Sequence, residues 1–223
     1  MSFWRKVMAI VWKDVRSELR TKDILSSMLV FAFLTVLIFQ FAFDMRAAII
    51  NLVLPGVLWI AITFAGVLGL NRSFILEQDR GSMEGLLMAP MDRSVIYFGK
   101  LIGNLLFIFI VELVLLPLMT VMFNVSLLTA PILLVVFLGT IGYAAVGTLF
   151  AALSSNTRAR EVMLPVLLFP VMIPVFVAGV QATGRLLDGD TLADIARWVQ
   201  LLAAYDGIFI AAAMILFDYV VEE

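Results

Sequence analysis

The chain reads as long apolar runs separated by short polar stretches, with a different pattern in the first two dozen positions. The runs are Ile24–Phe43, Ala48–Leu70, Tyr97–Phe123, Pro131–Leu153, Val162–Gln181 and Val199–Phe217. Each has roughly the 20 residues that an α-helix needs to cross a hydrocarbon core of about 30 Å. A segment within lipid must also satisfy its own backbone hydrogen bonds, so all six are expected to be transmembrane helices. Over residues 1–23 apolar positions recur at helical spacing instead. At about 100° per residue Trp4, Val7, Met8, Val11, Val15 and Leu19 share one arc, and Arg5, Lys6, Lys13, Arg16 and Arg20 take the opposite one. That pattern predicts an amphipathic helix lying along the membrane surface. Asp14 and Glu18 fall on the apolar side, four residues apart, with Lys22 four beyond Glu18. Their spacing fits a local charge ladder, with a partner contact as the alternative.

Composition agrees with the pattern. Of 223 residues 63% are hydrophobic and 14% charged, where a soluble domain is nearer a quarter charged. Six spans leave no room for a separate soluble domain, so residues 1–223 are expected to form a single transmembrane domain. The first 22 residues hold no apolar run long enough for a secretory signal and are read as mature structure. Cysteine and histidine are both absent, which removes disulfides, catalytic thiols, the common zinc sets and the usual proximal haem ligand. The net charge of −2 gives no reason to expect a nucleic-acid partner. Basic residues become informative once placed on a topology: with both ends cytoplasmic, only Arg46, Arg185 and Arg197 lie outside, leaving 12 of the 15 Lys and Arg inside.

Few residues offer chemistry. Glu112 sits near the middle of the third run, where a charge costs on the order of 3 kcal/mol and the side chain normally faces the bundle interior. It reads either as a functional acid or as a hydrogen-bonded group that fixes packing. Asp206 has the same two readings and is placed in the outer half of the sixth run, near the interface. Gly139, Gly142 and Gly147 give the fourth run a small face for close helix packing. Pro165, Pro170 and Pro174 each remove a backbone donor within one span, as a fixed kink or as a gate. Trp4, Trp12, Trp59 and Trp198 are scattered, which fits interfacial anchoring and packing rather than a cofactor box. The only long connection is 71–96, whose Glu77, Asp79, Glu84 and Asp92 are balanced by Arg72, Arg80 and Arg93 together with Lys100 just beyond it. It reads as solvated loop or as a protein-docking surface carrying a short apolar helix, Met83–Met88.

That connection resembles the charged loop of ABC-2 type permeases, through Glu77, Asp79, Arg80, Gly81, Ser82, Met83, Glu84, Leu86, Leu87 and Pro90. Leu68-Gly69-Leu70-Asn71-Arg72-Ser73-Phe74, and the proline-rich stretch from Leu164 to Phe176, narrow the likeness to the haem exporter protein B (CcmB) family. The resemblance covers nearly the whole chain. It implies an all-α ABC-2 permease fold of six transmembrane helices and an interfacial helix, in the bacterial inner membrane. It implies a non-enzyme that pairs with a separate CcmA-type ATP-binding subunit and with CcmC and CcmD, and acts indirectly on the haem chaperone CcmE in cytochrome c maturation. A second copy of the chain is implied too, since six spans make half an ABC permease. Glu77, Asp79, Arg80, Gly81, Met83, Glu84, Leu86 and Leu87 would then couple to the ATPase. No Gly-x-x-x-x-Gly-Lys-Ser/Thr phosphate loop occurs, since Gly99-Lys100 runs into Leu101 within a span. ATP and haem are accordingly expected on partner subunits, with no cofactor or metal bound here. An ABC-2 exporter of a lipid, drug or polysaccharide is the alternative. A secondary transporter would show a matching broken segment in the other half, and a lone Glu112 gives an intramembrane enzyme no visible nucleophile.

Overall fold

The computed structural model describes residues 2–42, 47–79, 85, 88, 92–155, 157 and 159–220, of which 47–49, 76–79, 160 and 218–220 are described as backbone alone. In chain order its helices are α1 (Phe3–Thr21), α2 (Asp23–Ala42), α3 (Ala47–Asp79), α4 (Arg93–Phe123), α5 (Ala130–Ser155), α6 (Arg160–Leu187) and α7 (Ala196–Val220). The six from α2 onward are long and apolar enough to cross a membrane; α3 to α7 each contain one of the expected runs, and α2 covers its run as far as Ala42, the last residue described there. Helices α3, α4 and α6 extend past their apolar runs, because a helix that leaves hydrocarbon goes on satisfying its backbone in water. Alternate crossing puts α1, the 80–92 connection and the end of α7 at one end of the bundle, here the basic end.

Helix ends follow local chemistry. Lys22, at φ 58°, gives its N–H to the Glu18 carbonyl and turns α1 straight into α2. Asn124, at φ 53°, closes α4 in the same left-handed way, a conformation that asparagine accepts more readily than most side chains. At the opposite end Asp194 accepts the Thr191 N–H at 2.8 Å and its hydroxyl at 2.7 Å, just before α7 begins. Those bonds, the hydroxyl's foremost, hold the Asp194 carboxyl below its ordinary value.

Helix α5 is the hub of the bundle, packed against α3, α4, α6 and α7. A buried polar atom must be paired or it costs free energy, and α5 is tied on two sides. Tyr143 donates to the Thr63 carbonyl of α3 at 2.7 Å. From α4, Tyr97 donates to the Ala145 carbonyl at 3.2 Å and Asn104 to the Thr148 hydroxyl at 3.0 Å. The glycines of α5 do serve packing. The Trp59 ring of α3 lies against Gly139 of α5 and Gly179 of α6, and its indole N–H donates to Thr183 at 3.3 Å. Trp59 is thus a core residue and not an interfacial anchor, whereas Trp4 and Trp12 are exposed. Gly139→Ala would place a methyl on the Trp59 ring and is expected to cost about 1–3 kcal/mol as an overpacked core. Gly207→Ala, with nothing within 4 Å of its Cβ, gains the same helix propensity and should not destabilise. Thermal unfolding of the two variants in detergent checks the contrast.

Candidate functional site

The most unusual polar group lies at the basic end. Lys100, one turn into the apolar part of α4, is 1% exposed. Its ammonium donates to Asp14 Oδ2 of α1 at 3.0 Å and to the Ser73 carbonyl of α3 at 3.3 Å, and it stands 5.4 Å from the centre of the Phe74 ring. Helix α1 reaches it because α4 is small on that face. A Cβ built at Gly99 would stand 2.7 Å from Ile10, and one at Gly103 would stand 3.5 Å from the Asp14 carboxylate. Phe3 adds an edge-on contact to Phe98, with ring centres 6.0 Å apart. One cation therefore joins α1, the last turns of α3 and the start of α4, and the last two flank the 80–92 connection.

This junction corrects the reading of Asp14 and Glu18. Asp14 bonds Lys100, with Lys13 at 3.2 Å as its second cation. Glu18 is buried and accepts the Leu25 N–H at 2.8 Å, capping the start of α2. The two acids face inward because each serves a neighbouring helix. They form neither a surface ladder nor a partner contact. Lys100 itself escapes the sequence reading, which takes it only as one of the cations balancing the long connection. The signal was present as a lysine inside the Gly99-x-x-x-Gly103 face, matched by an acid on the apolar side of α1.

Near the bundle's middle, Glu112 and Asp206 flank α5. Glu112 is buried and accepts a hydrogen bond from the Thr140 hydroxyl. Asp206 sits at the midpoint of the Ala196–Phe217 span, 7% exposed, with an oxygen 2.5 Å from where a Cβ of Gly142 would stand. The expected interfacial position is therefore wrong, because α7 starts at Ala196 and carries residue 206 to mid-span. Thr140 and Gly142 are about 200° apart around α5, so the carboxyls occupy opposite sides of one helix at similar depth. Neither has an ion pair among the described residues, and both Asp206 oxygens lack a hydrogen-bond partner there.

Helix α6 runs unbroken through Pro165, Pro170 and Pro174. Tyr205 of α7 donates to the Val171 carbonyl at 3.0 Å, next to Pro170, so a neighbouring helix braces this stretch. Pro170 also lines an apolar groove of about 660 Å³ between α3 and α6, with Trp59, Ile60, Phe64, Phe169 and Phe176. The structure brings Pro170, but neither carboxyl, to that groove. The side chains of Glu77, Asp79, Arg80, Met83, Glu84, Leu86 and Leu87, and Gly81 with them, lie outside the described residues. Within the connection Gly85 and Met88 are exposed. Among the described residues no group of three or more Asp or Glu is placed to hold a metal ion.

Comparison with known proteins matches this sequence over nearly its whole length. A family model described as CcmB protein matches residues 5–219. Heme exporter protein B of Pseudomonas aeruginosa is 26% identical over 193 residues, 86% of this chain and 86% of its own. The proteins of that name from Bradyrhizobium diazoefficiens and Rhodobacter capsulatus are 24% and 25% identical, over 81% of this chain in each case and 82% and 84% of their own.

Proposed function

Because the chain belongs to the CcmB protein family, we propose that this multi-pass membrane protein is the membrane subunit of an ABC transporter acting in haem export for cytochrome c maturation. The observation that carries the reading is the family match over residues 5–219, which takes in the whole helical bundle and the α1 junction. In this reading a separate CcmA-type subunit hydrolyses ATP, with CcmC and CcmD as membrane partners, and the stroke serves haem delivery or release of the haem-loaded chaperone CcmE. Both ends of the chain and the 71–96 loop are cytoplasmic, and two copies form the permease. The chain supplies movement, not ligation: without His or Cys it lacks the strong axial ligands for haem iron, so haem is cargo held by partners.

The Lys100 junction gives the stroke a route. A partner shifts an equilibrium only through contacts that differ between its states. A push on the 80–92 connection meets α3 and α4 at its two ends, and Lys100 links both to α1. Glu77, Asp79, Arg80, Gly81, Met83, Glu84, Leu86 and Leu87 form the proposed receiving surface. The test is co-expression with the host's CcmA-type ATPase and purification through a tag on this chain. The ATPase is expected in the eluate and dependent on this chain for membrane attachment. An eluate without it, under conditions that keep the chain folded, would overturn the pairing.

A further inference from the structure

Helix α1 has three faces. Val7, Ile10, Val11 and Glu18 are buried inward. Trp4, Met8, Trp12 and Leu19 form a second, apolar strip that is 56–65% exposed. The third is a recess of about 580 Å³ lined by Lys13, Arg16, Ser17, Arg20 and Thr21. Every side chain lining it is a hydrogen-bond donor, and three are cations. Among the described residues Arg16 and Arg20 have no anionic or hydrogen-bond partner, although α1 also carries Asp14 and Glu18, because Lys100 and the start of α2 engage those acids. At about 100° per residue Trp12 lies about 40° from Arg16, and Leu19 about 60°. The basic recess and the apolar strip therefore share an edge.

We propose that this edge is a binding site for an anionic phospholipid, with the headgroup phosphate between Arg16 and Arg20 and the acyl chains along Trp12 and Leu19. A ligand must be anionic on one side and apolar on the other to fill both faces. An acidic protein segment would use the recess and leave the tryptophans in water, which is why the lipid is the occupant favoured here. The paired guanidinium groups suit phosphate oxygens, and tryptophan is at home at headgroup level. The site anchors to lipid the same helix that Lys100 links to α3 and α4, so membrane composition acts on that junction.

The full chain, purified in an uncharged detergent, is titrated with phosphatidylglycerol, phosphatidylcholine or glycerol phosphate, and bound lipid is read by native mass spectrometry. Phosphatidylglycerol should bind saturably and more weakly as salt rises, phosphatidylcholine should not bind saturably, and glycerol phosphate should compete poorly because it lacks the apolar half. Arg16→Gln with Arg20→Gln should weaken binding about 25-fold, at about fivefold for each basic residue near an anionic surface. Both side chains are exposed, so the fold is not at stake, and Arg197→Gln at the opposite end serves as control. Trp12→Gln should weaken the lipid but leave glycerol phosphate unchanged. Equal binding of the two lipids, unchanged binding by the double variant, or displacement by a polyglutamate peptide at lower concentration than glycerol phosphate would overturn the site.

Discussion

Lys100→Met alone and Asp14→Leu alone are each expected to destabilise the protein, by up to about 3–5 kcal/mol, because each takes a buried ion-pair partner from the other. Lys100 is 1% exposed. After Asp14→Leu the Lys100 ammonium would lose its Asp14 carboxylate and keep the Ser73 carbonyl at 3.3 Å among its contacts, and Asp14 after Lys100→Met would keep Lys13 at 3.2 Å. The double variant Asp14→Leu with Lys100→Met should recover most of the loss, since a packed apolar pair of similar volume replaces a buried ion pair at little or no cost. Thermal unfolding of the four proteins in detergent gives the cycle. Additive losses in the double variant would show that the two charges act independently. If the pair also transmits force, the double variant should fold well and still mature less cytochrome c, because an apolar contact does not hold the Ser73 carbonyl.

Cytochrome c yield should collapse when Leu86 and Leu87 are both changed to Ala, or when Glu84 is reversed to Lys, while the chain still inserts in the membrane. Apolar anchors of an interface cost about 2 kcal/mol or more when truncated, roughly a 30-fold loss of affinity, whereas rim charges cost less. The leucine pair should therefore lose more bound ATPase than the glutamate. Reversal of Asp188 or Asp190 is the control. Asp188 is exposed and Asp190 pairs with Arg185 at 3.3 Å, and an exposed pair of this kind contributes little. Quantitative pull-down of the ATPase from membranes decides it. Wild-type association in the loop variants, with loss in the outer ones, would move the contact elsewhere. The acids of α1 are no substitute surface, because Asp14 and Glu18 face inward.

What could be read from the sequence tracked how local each signal is. Six apolar runs of spanning length gave six helices, because length and hydropathy within lipid leave the backbone almost no other choice. The three-faced α1 was half visible: apolar spacing fixed its periodicity, but not which apolar residues meet protein and which meet lipid. Val7 and Val11 went inward while Trp4 and Met8 stayed exposed, a choice made by Gly99 and Gly103 on a helix some 90 residues away. The same distance hid Lys100–Asp14. Lys100 alone looks like the basic flank of a span and Asp14 like a stray acid on an amphipathic helix, and only docking of α1 makes them a pair. Asp206 was misplaced for a simpler reason: seven residues into the run Val199–Phe217 it is already about 10 Å deep, so its distance from the interface was legible in the run itself. The buried Trp59 needed Gly139 and Gly179 from two other helices, a combination that the residues around Trp59 do not announce.

If this chain is the membrane half of an ATP-driven step in haem handling, formation of c-type cytochromes in the host depends on it. The gene for this chain is deleted, then restored as wild type, and membrane and periplasmic proteins are separated on a denaturing gel stained for covalently attached haem. The c-type bands should vanish on deletion and return with the wild-type chain, while total cellular haem stays near normal. Undiminished c-type bands in the deletion strain would contradict that role.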